Sequence, residues 1–211
     1  NNKAGWIIME IPSLSIMIYF MINSISHLNN YSVLLFCLWI LHYFNRVFIY
    51  PFRIKATSKK MPVFIVINAI FFNVVNAGIN GYYLSEFAVS EGNDTISFGS
   101  FHFVAGIILF FTGFAINNIS DTILIKLRKT GETGYKIPYG FLFKYVSAPN
   151  LLGEIIEWGG FALMAWNLPA LAFIIWTFAN LVPRAKNHHD WYIRNFEIYF
   201  KERKIIFPYL F

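Results

Sequence analysis

Six apolar segments, each near the roughly 20 residues needed to cross a bilayer, set the terms for everything else in this chain. They run over 6–22, 31–50, 62–84, 98–124, 150–166 and 169–182. Within lipid every backbone N–H and C=O must find an internal partner, so segments of this length are read as helices. The expected fold is an all-α integral membrane protein with six membrane-spanning helices. The fifth and sixth are short and separated only by Asn167-Leu168, which predicts a tight helical hairpin. Beyond Pro183 the pattern RAKNHHDWYIRNFEIYFKERK turns amphipathic and predicts a C-terminal helix lying at the interface. Repeats, low-complexity runs and linkers are missing, so a single domain over 1–211 is expected.

Charge asymmetry orients the spans. If they alternate, Lys3, the loop with Arg53, Lys55, Lys59 and Lys60, the loop after Leu124 and the C-terminal tail share one side. All 17 Lys and Arg lie on or next to that side, and the opposite loop between spans three and four carries Glu86, Glu91 and Asp94. By the positive-inside rule both ends of the sequence are expected to be cytoplasmic. Composition supports a membrane protein: 57% of residues are hydrophobic and only 13% charged, outside the range of an ordinary soluble domain. The net charge of +6 would suit nucleic acid on a soluble patch, but its carriers border the membrane, so no nucleic-acid partner is expected. Cys37 sits alone in an apolar run and implies neither disulfide nor thiol chemistry. No cleavable signal peptide is recognisable at residues 1–5.

Polar residues interrupt this apolar pattern at helical spacing. Asn117, Asp121, Leu124 and Arg128 share one face, and Asn150, Glu154 and Glu157 share a face of the next helix. A carboxylate at membrane depth is expensive, so two such stripes suggest a polar ligand. The loop joining them carries Arg128, Lys129, Lys136 and Lys144 with Gly131, Gly134 and Gly140, which suits a phosphate-bearing cofactor. Elsewhere Glu10 stands two residues before Pro12, while Trp39, Tyr43, Arg46 and Tyr50 line one face. Asn73, Asn76 and Asn80 line another, and Arg184, His188 and Tyr192 follow at i, i+4 and i+8, with Arg203 further on. Each has a plainer reading. Glu10 could be a snorkelling residue, the tyrosines belt aromatics and the cations lipid head-group contacts, while the asparagines read better as interhelical glue than as a ligand site.

The motifs for several chemistries are missing. His188, His189 and Asp190 are consecutive, and helix neighbours point about 100° apart, so they cannot chelate one ion together. No His pair stands at i, i+3 or i+4, and no Glu-x-x-His, C-x-x-C-H, P-loop or G-x-G-x-x-G is present. No metal is expected. Acid/base polarisation by Glu10 and Tyr43 beside a nucleotide remains.

At these residues the chain resembles the steroid 5-alpha-reductase family over nearly its whole length. The matching blocks are E-I-P-S at Glu10, L-H-Y-F-N-R-V-F-I-Y around Tyr43, G-Y-Y-L at Gly81 and S-D-x-I-L-x-x-L-R-K from Ser120. They continue with G-E-x-x-Y-x-I-P-x-G from Gly131, the long Y-V-S-x-x-N-x-L-G-E-I-I-E-W from Tyr145, L-P-A-L-A-F and R-A-x-x-H-H from Arg184. The resemblance implies an integral-membrane reductase that uses NADPH to saturate the double bond conjugated to a 3-oxo-steroid carbonyl. It puts the acid/tyrosine pair that holds the carbonyl on Glu10 and Tyr43. It puts cofactor binding on Asn117, Asp121, Arg128, Tyr135, Asn150, Glu154, Arg184, His188, Tyr192 and Arg203. A steroid or similar lipid enone, membrane lipids and a monomeric state are the implied partners and assembly. The membrane would be endoplasmic reticulum in a eukaryote and inner membrane in a bacterium. Two departures stand out: the family has seven spans, and this sequence starts where the second would, while a Gln that commonly precedes the acid is Met9 here. Reduction of an enoyl thioester, an isoprenylcysteine-type membrane methyltransferase and a non-catalytic lipid-binding bundle remain as alternatives.

Overall fold

The computed structural model describes residues 2–54, 61–87, 98–127, 136–199 and 202–210. Helix α1 (Asn2–Ser24) is followed by α2 (Asn30–Phe44), which runs through a π-helical turn (Asn45–Ile49) into the short α3 (Tyr50–Arg53). Helix α4 (Val63–Tyr82) likewise ends in a π-helical turn (Tyr83–Phe87). Then come α5 (Phe101–Lys126), a 3-10 turn (Phe141–Lys144), α6 (Pro149–Ala165) and α7 (Leu168–Asn195). Among the described residues five helical stretches are long and apolar enough to cross a membrane: Asn2–Ser24, Asn30–Arg53, Val63–Glu86, Phe101–Lys126 and Leu168–Asn195. Helix α6, the expected fifth span, has 17 residues. The described residues hold no strand, only an isolated parallel bridge between Val146 and Lys204. The protein is an all-α integral membrane protein, as its apolar segments predict.

The C-terminal expectation needs a correction. The amphipathic stretch after Pro183 is helical as far as Asn195, and there it continues α7 without a break instead of forming a separate interfacial helix. Pro183 removes one backbone donor, and the residues from Arg184 to Asn195 contain neither Gly nor Pro that would stop the helix. At 1.5 Å per residue, α7 is about 42 Å long, roughly 12 Å more than a hydrocarbon core.

By their contacts the residues fall into two compact units, Asn1–Phe103 with Asn167–Ala170, and Val104–Trp166 with Leu171–Phe211. In the first unit α1 lies along α4 and α2. The Asn29 side chain caps α2 by accepting from the Ser32 backbone N–H at 2.7 Å. Gly81 permits the approach of α4 to α1, because a Cβ there would stand 2.5 Å from the ring of Phe20 and 3.1 Å from the Met17 sulfur. The π turn in the second helix closes with the Tyr50 N–H donating to the Asn45 carbonyl, five residues back.

In the second unit α5 and α6 cross antiparallel with backbones in contact. A Cβ on Gly106 would lie 2.7 Å from the Gly160 carbonyl oxygen, and one on Gly153 would lie 2.5 Å from the Asn117 nitrogen. Gly113 and Gly160 are equally tight, so two glycines seven residues apart on each helix form the crossing. Helix α6 ends at Trp166, held left-handed at φ 45°, and α7 starts two residues later, giving the expected hairpin. Ala148, Leu151, Leu152 and Ile155 pack on Leu181, Ala185 and Ile206 in one buried cluster.

Candidate functional site

The first unit buries a continuous chain of polar side chains. Glu10, on α1, is 7% exposed, and Tyr43, on α2, is 5% exposed. The Arg46 guanidinium, in the π turn, donates to Glu10 Oε1 at 3.3 Å. Asn73, on α4, donates from Nδ2 to Glu10 Oε2 at 3.3 Å and to the Met9 carbonyl at 2.6 Å. Its Oδ1 accepts from the Tyr43 hydroxyl at 3.4 Å. Both carboxylate oxygens of Glu10 therefore receive donors, which suits an orienting acceptor better than a second donor.

Aromatic rings fix the ends of this chain. The Arg46 guanidinium sits 4.4 Å over Trp6 and 5.3 Å over Tyr50, so its charge is stacked as well as paired. Tyr43 stacks on Trp39 at 5.6 Å, and the Trp39 indole N–H donates to Ser13 Oγ at 3.0 Å. Trp39, Tyr43 and Arg46 thus act on one side of the helix, as their spacing predicts. The three asparagines of α4 divide. Asn73 bridges helices, whereas Asn80 donates to the carbonyl and side chain of Asn76 within its own helix.

The second unit brings together a different set. Asn117, buried on α5, donates to the Asn150 carbonyl at 3.0 Å, and Asn150 donates from Nδ2 to Asp121 Oδ1 at 3.1 Å. The two stripes read from the sequence do meet, set in place by the adjacent glycine crossing. Glu154 lies half-buried one turn beyond Asn150, and Glu157 is fully buried. The Ser120 hydroxyl, on the same helix as Asn117 and Asp121, is buried with no hydrogen-bond partner among the described residues.

Arg184, His188 and Tyr192 occupy one face of α7, the first two exposed and the third half-buried. Arg203 is 4% exposed, its guanidinium 5.4 Å from the ring centres of both Tyr139 and Tyr199. Tyr199 in turn stacks flat on Tyr192 at 5.3 Å. Arg128 and Tyr135, also expected at the cofactor, lie outside the described residues, as do Lys129, Gly131 and Gly134.

Sequence reasoning missed one hub here. The Ser147 hydroxyl lies 2.6 Å from His189 Nδ1, 2.7 Å from the Tyr199 hydroxyl and 3.2 Å from the Lys204 carbonyl. Together with the Val146–Lys204 bridge it clasps the C-terminal tail to the start of α6 and to α7. A lone serine ahead of a helix has no periodic signature, so only the structure reveals it. Asn73 did have a signature, the asparagine stripe, but its partners on two other helices carry no sequence signal.

What these helices define first is a class, an all-α membrane protein with ionisable side chains buried among its spans. A family model described as 3-oxo-5-alpha-steroid 4-dehydrogenase matches residues 59–211. The human protein named 3-oxo-5-alpha-steroid 4-dehydrogenase 1 is 43% identical over 211 residues, 99% of this chain and 80% of the relative. The steroid 5-alpha-reductase DET2 of Solanum lycopersicum is 41% identical over 212 residues, 98% of this chain and 80% of the relative. That of Arabidopsis thaliana is 37% identical over 215 residues, with 98% and 80% covered. The chain belongs to the 3-oxo-5-alpha-steroid 4-dehydrogenase family, a family of oxidoreductases. The resemblance read from the sequence blocks is borne out. Glu10 and Tyr43 precede the matched family model but fall within the alignments to the relatives.

Proposed function

We propose that this protein reduces the 4,5 double bond of a 3-oxo steroid, taking hydride from NADPH, with Tyr43 at the carbonyl and Glu10 behind it. The observation that carries this reading is the buried chain Arg46–Glu10–Asn73–Tyr43, which ends on a phenolic O–H in an apolar unit. Relatives at 37–43% identity bear names that state 5-alpha-steroid chemistry, and this supports the same substrate class here.

A conjugated enone accepts hydride at its beta carbon when the electron pair of the C=C bond moves toward the carbonyl oxygen. That oxygen then carries enolate charge, and a proton later joins the alpha carbon. Tyr43 donates its O–H to the oxygen as the charge develops, an interaction worth about 3 kcal/mol in comparable sites. Glu10 does not donate but fixes the polar chain behind Tyr43, and Arg46 balances its charge. Trp39 holds the phenol ring in plane by stacking.

NADPH, when bound, supplies the hydride. The residues of the second unit fit such a group in chemistry: a buried Ser120 hydroxyl without a partner among the described residues, amide and carboxylate groups at Asn117, Asp121 and Asn150, and cations at Arg184 and Arg203. Arg184, His188 and Arg203 serve the phosphates. Asn117, Asp121, Asn150 and Glu154 serve the uncharged polar end, and Tyr192 flanks the set. Arg128 and Tyr135 belong to the same assignment. We read both ends of the chain as cytoplasmic, the protein as a monomer, and residues 1–211 as one reductase domain.

Purified protein in detergent, given NADPH and testosterone or progesterone, should lose nicotinamide absorbance and yield the 5-alpha-reduced 3-oxosteroid. A methyl-transfer activity with S-adenosylmethionine, or binding of steroid without turnover, would overturn the reading. NADH supporting turnover as well as NADPH would remove the 2'-phosphate role of the cations.

A further inference from the structure

We infer that Asn73 is a positioning residue that holds Tyr43 and Glu10 in register and gives up the Tyr43 hydroxyl to the substrate carbonyl. The inference rests on the proposed role of Tyr43. Its basis is the orientation of one buried amide, 5% exposed, between three helices. The Nδ2 side faces two acceptors, the Met9 carbonyl at 2.6 Å and Glu10 Oε2 at 3.3 Å. An inverted amide would set its oxygen against both, acceptor against acceptor, so the orientation is fixed by chemistry. Oδ1 is thereby turned to the Tyr43 hydroxyl.

Two properties of this arrangement point to a catalytic purpose beyond helix packing. The Tyr43–Asn73 bond, at 3.4 Å, is long against the 2.7–2.8 Å typical of O–H···O bonds, so this bond aims the hydroxyl without binding it tightly. The phenol carries one proton. Rotation about its C–O bond moves that proton from the amide oxygen to a ketone oxygen placed beside it. A neutral ketone competes with the amide on nearly equal terms, whereas a developing enolate is the far better acceptor. The exchange therefore favours the transition state over the bound substrate. Glu10, accepting from Nδ2, and Arg46 behind it keep the amide from following the hydroxyl.

The test is a double-mutant cycle on the full chain, with NADPH and testosterone as the substrates. Asn73→Leu keeps an apolar side chain of similar reach but removes both hydrogen-bonding ends. It should lower kcat roughly 10- to 100-fold with the KM for NADPH unchanged. In a Tyr43→Phe background the same substitution should lower kcat no further, because no hydroxyl remains to be aimed. Equal fold losses in the two backgrounds would overturn the inference and leave Asn73 as a tie between helices. Should Asn73→Leu fail to fold, Asn73→Gln retains the amide but moves it by about 1.5 Å, one C–C bond. The same loss confined to the tyrosine background is expected of it, and equal losses overturn the inference again. A fully active Tyr43→Phe enzyme would instead sink the catalytic reading itself, a result distinct from equal losses.

Discussion

In the first unit the polar side chains hold one another, through contacts of 3.3–3.4 Å that join Arg46, Glu10, Asn73 and Tyr43. In the second, Asn117, Asp121 and Asn150 are held by helix backbones that four glycines bring together, with side-chain bonds of 3.0–3.1 Å. The first arrangement leaves one partner exchangeable, since the Tyr43–Asn73 bond is long and a phenolic hydroxyl turns about its own C–O bond. The second is set by backbone, because Asn117 bonds the Asn150 carbonyl and the glycine crossing fixes where that carbonyl lies. A group that must shift its bonding during a reaction belongs in the first kind of setting. A framework that must keep a large ligand's contacts spaced belongs in the second.

The sharpest way to break this contrast is at the crossing. Gly153→Leu places a side chain where even a Cβ meets the Asn117 backbone at 2.5 Å. Overpacking against backbone should cost about 3 kcal/mol or more, seen as lost thermal stability or lost monodisperse protein. A variant that melts like the parent would show that the helices are not locked. Next in size is Tyr43→Phe. The fold and NADPH binding should survive, while kcat falls roughly 10²–10³-fold; Glu10→Gln should act in the same direction, and the double variant should lose less than the product of the two.

Smaller effects are expected around the tail. Arg203→Ala should weaken NADPH binding by about 1.5–3 kcal/mol, the worth of a charged hydrogen bond, with kcat changed less than KM for the cofactor. An unchanged KM would return Arg203 to a purely stacking role between Tyr139 and Tyr199. Ser147→Ala should cost about 1 kcal/mol of stability and make the tail after Tyr199 easier to cleave by added protease, without touching the steroid chemistry. If its effect matched that of Gly153→Leu, the clasp would have to be counted with the framework.

The helices were legible in the sequence because lipid forces long apolar runs into one shape. The face shared by Trp39, Tyr43 and Arg46, and the meeting of Asn117, Asp121 and Asn150, followed from periodicity. Periodicity ends where a helix ends, and it says nothing about which neighbour a face meets. That is why the asparagine stripe predicted interhelical glue, which Asn73 is, but not which residues of α1 and α2 it would join. It is also why Ser147 went unnoticed, and why His189, one residue from the expected His188, is the imidazole bonded to it. Pro183 misled for the opposite reason. A helix breaker by propensity was overridden by a continuous run of helix-compatible residues on either side.

The π turn at Asn45–Ile49 has a consequence for how such a chain tolerates change in length. A π turn holds one residue more than an α turn over the same rise, so it is how a helix accommodates an insertion without being severed. Tyr43 precedes the turn, while Tyr50 and α3 follow it. One residue lost within 45–49 would leave an ordinary α turn, with Tyr50 and α3 keeping their register and the face of Trp39 and Tyr43 unmoved, so that Arg46 alone of the buried polar chain would feel the change.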